Sequence, residues 1–404
     1  MKNPLDITVL CKVVDNFGDI GVVYRLIKAL KEVSDQNPDF PPIKIRLILD
    51  NLLSFKLLCP SVDENAQTQT VNDIQIFKWD SPLCLKEFQK NPPEILLECF
   101  QCGRPDWLET LLFEIKIPEP CQIIMIDYLT AEDYAESFHK LLSLTRSARV
   151  KKVNFMPGFT PKTGGLIISD FEKNTFLCGE SLPPAPKQSF SASPSPRGTP
   201  LKPQNKIPKF NIFFFSYPKD LTPVLKSFQK FNQNCLQNNL NVLLAQGAGF
   251  SSFKNAYSKL EQKNLFSLSE LDFVPQEMWD SLLFSSDILF IRGEDSLSRA
   301  CLYGKPFVWN AYPQSEDYQL VKVQALLQKL KPFFPEKEFL IIQNLWLIYN
   351  GKEGNLEKAV YDFLSNYHNL REGFFNFSQS LKKNGNLAFH LMTFILKDCI
   401  IKKQ

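Results

Sequence analysis

Glycine is scarce in this chain, 16 of 404 residues, where an average protein carries about 7%. Neither G-x-G-x-x-G nor G-x-x-x-x-G-K-[ST] occurs, which removes both common phosphate-loop signatures. Gly247-Ala248-Gly249 comes nearest and lacks the third glycine. Histidine is rarer still. His139, His368 and His390 are the full set, and all fall in stretches of helical spacing, so a His-based triad or zinc site is not expected. No charge of one sign dominates: 46 Lys and Arg face 43 Asp and Glu, for a net +3. A surface so balanced does not single out nucleic acid or anionic membrane as a partner. No apolar run reaches the length of a membrane-spanning helix. The short one near the N-terminus is broken by Asp6 and Lys12 and reads as a buried strand rather than a signal peptide. Ten cysteines in a chain of this length do not make a disulfide scaffold. Cys99 and Cys102 form a lone C-x-x-C, a pair that is most often structural. The expectation is a cytoplasmic protein with free thiols.

Apolar material is plentiful, with 35 phenylalanines, and most must fill a core of the size a 400-residue chain can bury. The first half alternates strand-like and helix-like segments. Ile7 to Val14, Lys44 to Asp50, Ile74 to Trp79, Ile95 to Phe100 and Gln122 to Asp127 read as strands. Gly21 to Val33, Pro105 to Ile115 and Ala131 to Leu144 read as helices. A second alternation starts at Phe210 and turns mostly helical after Asp317. Strands alternating with helices imply parallel sheets covered on both faces. We therefore expect an α/β protein of two Rossmann-like domains, 1–180 and 208–387. A Pro/Ser-rich connection, 181–207, joins them as a spacer or, alternatively, as a regulatory insert. The apolar segment 388–404 is positioned to cross back onto the first domain. Ligands of such sheets bind at the carboxyl ends of the strands, so the natural site is the cleft between the domains.

Four segments there can carry chemistry. The first strand ends in Asp15-Asn16-Phe17-Gly18-Asp19-Ile20-Gly21. Asp15 and Asp19 can grip a cationic acceptor and take its proton; equally, Asp19 can cap the helix that follows. Ile291-Arg292-Gly293-Glu294-Asp295-Ser296 again follows a strand and opens a helix, where backbone N–H groups favour an anion. Arg292 adds a phosphate clamp and Ser296 a hydroxyl, although a capping Asp295 and a surface Arg292 would look the same. Phe273-Val274-Pro275-Gln276-Glu277-Met278-Trp279, with Phe215 and Tyr217, offers rings and an amide for a nucleobase; taken singly, Phe273 and Trp279 also suit a core. Phe155 to Gly165 is a loop with three glycines that can touch acceptor or diphosphate. No two aspartates are separated by a single residue, so the D-x-D metal clamp of many nucleotide-sugar enzymes is missing and a metal-independent mechanism is favoured.

Six segments then occur in one order: 15–21, Asp127-Tyr128-Leu129-Thr130-Ala131-Glu132-Asp133, Phe155 to Thr160, Phe273 to Gln276, Arg292 to Ser296, and Gly304-Lys305-Pro306-Phe307-Val308-Trp309. In these the chain resembles the bacterial protein-arginine rhamnosyltransferases that mature elongation factor P. The resemblance runs from Ile7 to at least Gln314. It implies the GT-B architecture, two Rossmann-like domains facing across a cleft, and an inverting transferase without cofactor or metal. The implied donor is dTDP-β-L-rhamnose, and the implied acceptor and partner is an arginine on a loop of elongation factor P domain I, with no nucleic acid or membrane involved. By the same resemblance Asp15 and Asp19 bind the acceptor arginine, Asp19 being the favoured base, and Glu294 is an essential acid near the donor. Arg292, Asp295 and Ser296 match the diphosphate site. Phe215, Tyr217, Phe273, Gln276 and Trp279 match the thymidine pocket, Trp279 standing where the family pattern has Phe or Tyr. The connection 181–207 is longer than the family pattern. The alternatives are a GT-B transferase for a small-molecule acceptor, or a non-catalytic nucleotide-sugar-binding adaptor.

Overall fold

A computed structural model describes residues 4–14, 18–115, 120–169, 172, 209–236, 239–261 and 266–400. Asp15 and the connection 181–207 lie outside them. Two sheets organise these residues. The first takes the order β3-β4-β2-β1-β5-β6-β8-β7, from β1 (Leu5–Cys11), β2 (Ile43–Leu49), β3 (Thr68–Val71), β4 (Ile74–Lys78), β5 (Ile95–Cys99), β6 (Cys121–Ile126), β7 (Leu142–Ser143) and β8 (Val150–Phe155). Its six central strands are parallel, and only the short edge strands β3 and β7 run antiparallel. At the centre, β1, β2 and β5 are mostly Ile, Leu and Val and almost wholly buried, as a parallel sheet under helices requires. The second sheet, β11-β10-β9-β12-β13, is wholly parallel. Its strands are β9 (Phe210–Phe214), β10 (Leu240–Ala245), β11 (Ser267–Leu271), β12 (Ile288–Arg292) and β13 (Phe307–Asn310). This is the α/β, GT-B arrangement, two doubly wound lobes across a cleft.

Strand order sets where ligands go. In the first sheet the chain leaves β1 toward β2 on one side and returns to β5 on the other. In the second, β9 lies between β10 and β12. Both are switch points, where the loops after the strands part and leave a crevice. The turn after β1 and the turns after β9 and β12 supply the site.

Helix Leu387–Phe394 packs against α1 (Gly18–Gln36), burying Leu387, Ala388, Leu391 and Met392 in the first lobe's core. Seating its two leucines and methionine stabilises by roughly 5 to 9 kcal/mol before the entropy of ordering them is counted. The glycine loop after β8 serves this packing. Gly165, at φ +83°, approaches the Gly385 carbonyl so closely that a Cβ would lie 2.7 Å from it. One expectation fails locally, and two strands, β8 and β11, have no counterpart in the sequence reading. Residues 131–144 hold only a short helix, Tyr134–Phe138, before the chain turns into edge strand β7. The β8 strand has no helical or alternating signature strong enough to stand out. Ser267–Leu271 is a half-exposed edge strand whose polar residues hide it.

Candidate active site

Three strand ends of the first lobe converge on Asp19. It lies in the first turn of α1 and is 2% exposed. The Val14 N–H donates to its Oδ2 at 2.7 Å and the Tyr128 hydroxyl to its Oδ1 at 2.9 Å. Tyr128 follows β6, and its ring stacks on Phe100, which follows β5, with centroids 4.5 Å apart and planes 17° from parallel. Phe100 and Gln101 both take positive φ, 57° and 52°, which turns the chain sharply toward Tyr128. Gln101 Nε2 ties this turn to Asp127 at 3.1 Å. Burial, then the charge of Asp19 and, further down, that of Glu294 push the Tyr128 phenol well above its ordinary range, so it stays a hydroxyl and donates. The neighbouring Cys99 and Cys102 thiols are pushed up too, Cys102 to about 12, by burial first and by adjacent acids and thiols next. That is a structural role, with Cys102 Sγ 3.7 Å from the Leu10 carbonyl.

The second lobe presents a cation on aromatic faces. Arg292 ends β12, buried, with its guanidinium carbon 4.3 Å from the Phe215 ring centroid and 4.6 Å from that of Tyr217. Trp279 stands edge-on to Phe215 at 4.9 Å and to Phe213 at 5.0 Å. A Cβ at Gly247 would lie 2.6 Å from Phe215 and 3.3 Å from Arg292 Nη2, so only glycine lets the backbone after β10 come this near. Gly293 takes φ +73° and starts helix Glu294–Tyr303, whose N-terminal N–H groups favour an anion beside Arg292. Phe273, instead of joining the core, is 52% exposed.

Between the lobes lies a cleft of about 860 Å³, walled by Gly18, Gly21 and Leu58 on one side and by Phe215, Phe273, Trp279 and Arg292 on the other. Gln276, Glu294, Asp295 and Ser296 also line it. Gln276 Nε2 donates to the Gly21 carbonyl at 2.8 Å, while its buried Oε1 has no partner among the described residues. Tyr217 is set behind Arg292, braced edge-on by Tyr312 at 5.3 Å. Glu294 also borders two smaller cavities of about 510 and 280 Å³, so it sits where three spaces meet. Asp295 turns its carboxylate to Arg25 of the first lobe, at 2.7 and 3.0 Å.

Residues 7–396 match the family model described as elongation-factor P (EF-P) rhamnosyltransferase EarP. The chain belongs to the EarP family. Two relatives named protein-arginine rhamnosyltransferase resemble it over most of their length. The Shewanella oneidensis protein is 33% identical over 333 residues, covering 79% of each chain. The Pseudomonas putida protein is 29% identical over 365 residues, covering 87% of each. A solved structure described as the structural basis for EarP-mediated arginine glycosylation of translation elongation factor EF-P shares the fold, with a TM-score of 0.53 at 16% identity over 97% of this chain and 99% of that one.

Four charged residues of this EarP-family site have no local sequence signature. Arg25 binds Asp280 as well as Asp295, and Arg299 pairs with Glu172. Their partners lie more than a hundred positions away, except that Asp295 and Arg299 are one helical turn apart at 3.9 Å. The histidines stay outside the cleft: His139 accepts the Met156 N–H at 3.2 Å, and burial, then Lys140 and His390, lower it to about 4. Among the described residues no group of three or more His, Cys, Asp or Glu is placed to hold a metal ion, and no helix is long and apolar enough to cross a membrane.

Proposed function

We propose that this EarP-family protein transfers L-rhamnose from dTDP-β-L-rhamnose to an arginine of elongation factor P, with inversion at the anomeric carbon and without a metal. One observation carries it. The cleft has Gly18 and Gly21, which flank Asp19 in the first turn of α1, on one wall and Arg292 and Glu294 on the other, which supports a reading in which an acid of one lobe faces a donor site on the other.

A guanidinium is a poor nucleophile, because it is always protonated and its lone pairs are delocalised. Asp19, with Asp15 four positions before it in the sequence, localises the cation and aims one nitrogen at the anomeric carbon. The new C–N bond forms as the bond from that carbon to the dTDP phosphate oxygen breaks. Asp19 takes the proton that the nitrogen loses. Arg292 and the N-terminus of helix Glu294–Tyr303 receive the charge of departing dTDP, which removes the need for a metal. Phe215, Phe273 and Trp279 hold the base, Gln276 reads its edge, and Tyr217 keeps Arg292 in place. Glu294 orients the sugar. Ser296 adds a hydroxyl donor for the diphosphate. Asp295 holds helix Glu294–Tyr303 through Arg25, which departs from a direct diphosphate role. Attack from the face opposite dTDP gives an α-linked rhamnosyl arginine.

The test is purified protein with dTDP-β-L-rhamnose, elongation factor P and excess EDTA, read by peptide mass spectrometry. One deoxyhexose on a single arginine is expected. Unmodified acceptor, or transfer only after divalent metal is restored, would contradict the proposal.

A further inference from the structure

One stripe of α1 faces the second lobe. Gly21, Arg25 and Lys28 are spaced four and three residues apart, which places them on the same side of the helix. Each meets that lobe through a polar contact. The Gly21 carbonyl accepts from Gln276 Nε2 at 2.8 Å, and Lys28 Nζ lies 2.6 Å from Glu277. Between them Arg25, 2% exposed, uses its whole fork. Nη1 and Nη2 donate to Asp280 at 2.7 and 2.8 Å, while Nε and Nη2 donate to Asp295 at 2.7 and 3.0 Å. Behind Asp295 stands Arg299, paired with Glu172, a buried acid that also accepts from the Ser169 N–H at 2.7 Å. Helix Glu294–Tyr303 is thus held on two sides.

Such a network is weak evidence for stability, since burying charges costs about what pairing them returns. What it does supply is geometry. A planar fork bidentate to two carboxylates fixes distance and angle together, and an ammonium cannot do the same. Its place in the fold gives that geometry a use. Arg25 shares α1 with Asp19, and its partner Asp295 adjoins Glu294.

We infer that Arg25 is a positioning residue, a strut that sets the spacing between Asp19 and Glu294 and acts on the transfer step rather than on donor capture. This rests on the roles given to those two acids above. The nucleophilic nitrogen and the anomeric carbon, held by different lobes, must stand about 3 to 3.5 Å apart, and an error of about 1 Å costs about 100-fold.

Arg25→Lys and Asp280→Asn in the full chain test the strut, through kcat and donor KM for transfer to elongation factor P and through dTDP affinity by calorimetry. Folding is checked by circular dichroism. We expect kcat to fall about 30- to 100-fold in Arg25→Lys, with donor KM and dTDP affinity within about threefold of wild type. A kcat within about threefold of wild type in a folded variant, or a loss of dTDP affinity matching the loss of kcat, would overturn the strut. Asp280→Asn keeps both bonds to Asp295 and leaves one neutral acceptor where two carboxylate oxygens stood, so if Arg25→Lys does not fold it decides the matter alone: a lower kcat at unchanged dTDP affinity supports the strut, and a wild-type kcat overturns it. Wild-type protein without transfer would overturn the proposed activity, and the strut's role with it. An active wild type beside an equally active Arg25→Lys overturns the strut alone.

Discussion

Replacing Tyr128 with phenylalanine separates two contacts that meet in one side chain. The ring's stack on Phe100, at 4.5 Å, survives the change. The hydroxyl's bond to Asp19, at 2.9 Å, does not. A hydrogen bond to a charged group contributes about 1.5 to 3 kcal/mol. Two features place this one at the low end: Tyr128 is 37% exposed, and the Val14 N–H still holds the other carboxylate oxygen at 2.7 Å. About 1.4 kcal/mol remains, or about tenfold in rate. The assay is steady-state transfer from dTDP-rhamnose to elongation factor P, with kcat/KM for the acceptor as the readout. Phe100→Leu serves as the complement, removing the stack and leaving the hydroxyl. Tyr128→Phe should lose about tenfold and Phe100→Leu less, because an aromatic pair adds only about 0.5 to 1.5 kcal/mol beyond its area. Full activity in Tyr128→Phe would refute the view that this hydroxyl orients Asp19. Inactivity as deep as that of an Asp19 variant would refute it too, since the hydroxyl would then be doing chemistry itself.

Three further outcomes follow from the same geometry. Glu294→Gln should lower kcat by about 100-fold, the scale of a reacting sugar held about 1 Å out of place, while calorimetry finds dTDP binding unchanged. Phe273→Ala should weaken dTDP binding about tenfold, within the range of base–aromatic stacking, and leave the urea midpoint alone because this ring is exposed. Burial alone would raise the Glu172 carboxyl, but Arg299 and Arg25, with bonds from Ser169 and Arg299, bring it from 4.5 to about 2. A depressed carboxyl stabilises above its unfolded value and loses that contribution as pH falls toward its folded one, here about 3 kcal/mol between pH 4.5 and about 2. Urea unfolding of Glu172→Gln should therefore be weaker than wild type near neutral pH and converge with it in acid. A constant difference across the series would contradict the ion pair's role.

Much of the frame was legible because parallel strands advertise themselves. Ile43–Leu49 and Ile95–Cys99 are mostly buried stretches dominated by Ile and Leu, and glycine-bearing turns follow β1 and β12. Arg292, Phe215 and Trp279 were legible for the same reason, each lying at a strand end or at the start of a helix. The strut was not. Arg25 looks like any basic residue on an amphipathic helix, and Asp280 like a surface acid; only folding across some 255 positions makes them a pair. Tyr128 was visible as part of a motif but not as the partner of Asp19, because that bond joins the ends of β1 and β6. The stretch 131–144 misled because Ala131, Tyr134, Ala135, Phe138 and Leu141 recur at helical spacing, although Phe138, Leu141, Leu142 and Leu144 are exposed.

Asp19→Asn tests the central claim most directly. The amide keeps the shape and can still accept the Val14 N–H, yet it cannot take a proton from the acceptor arginine. Single-turnover transfer by enzyme loaded with dTDP-rhamnose should slow by at least about 100-fold, with dTDP affinity unchanged. Transfer at the wild-type rate would contradict the assignment of the opening turn as the source of the base.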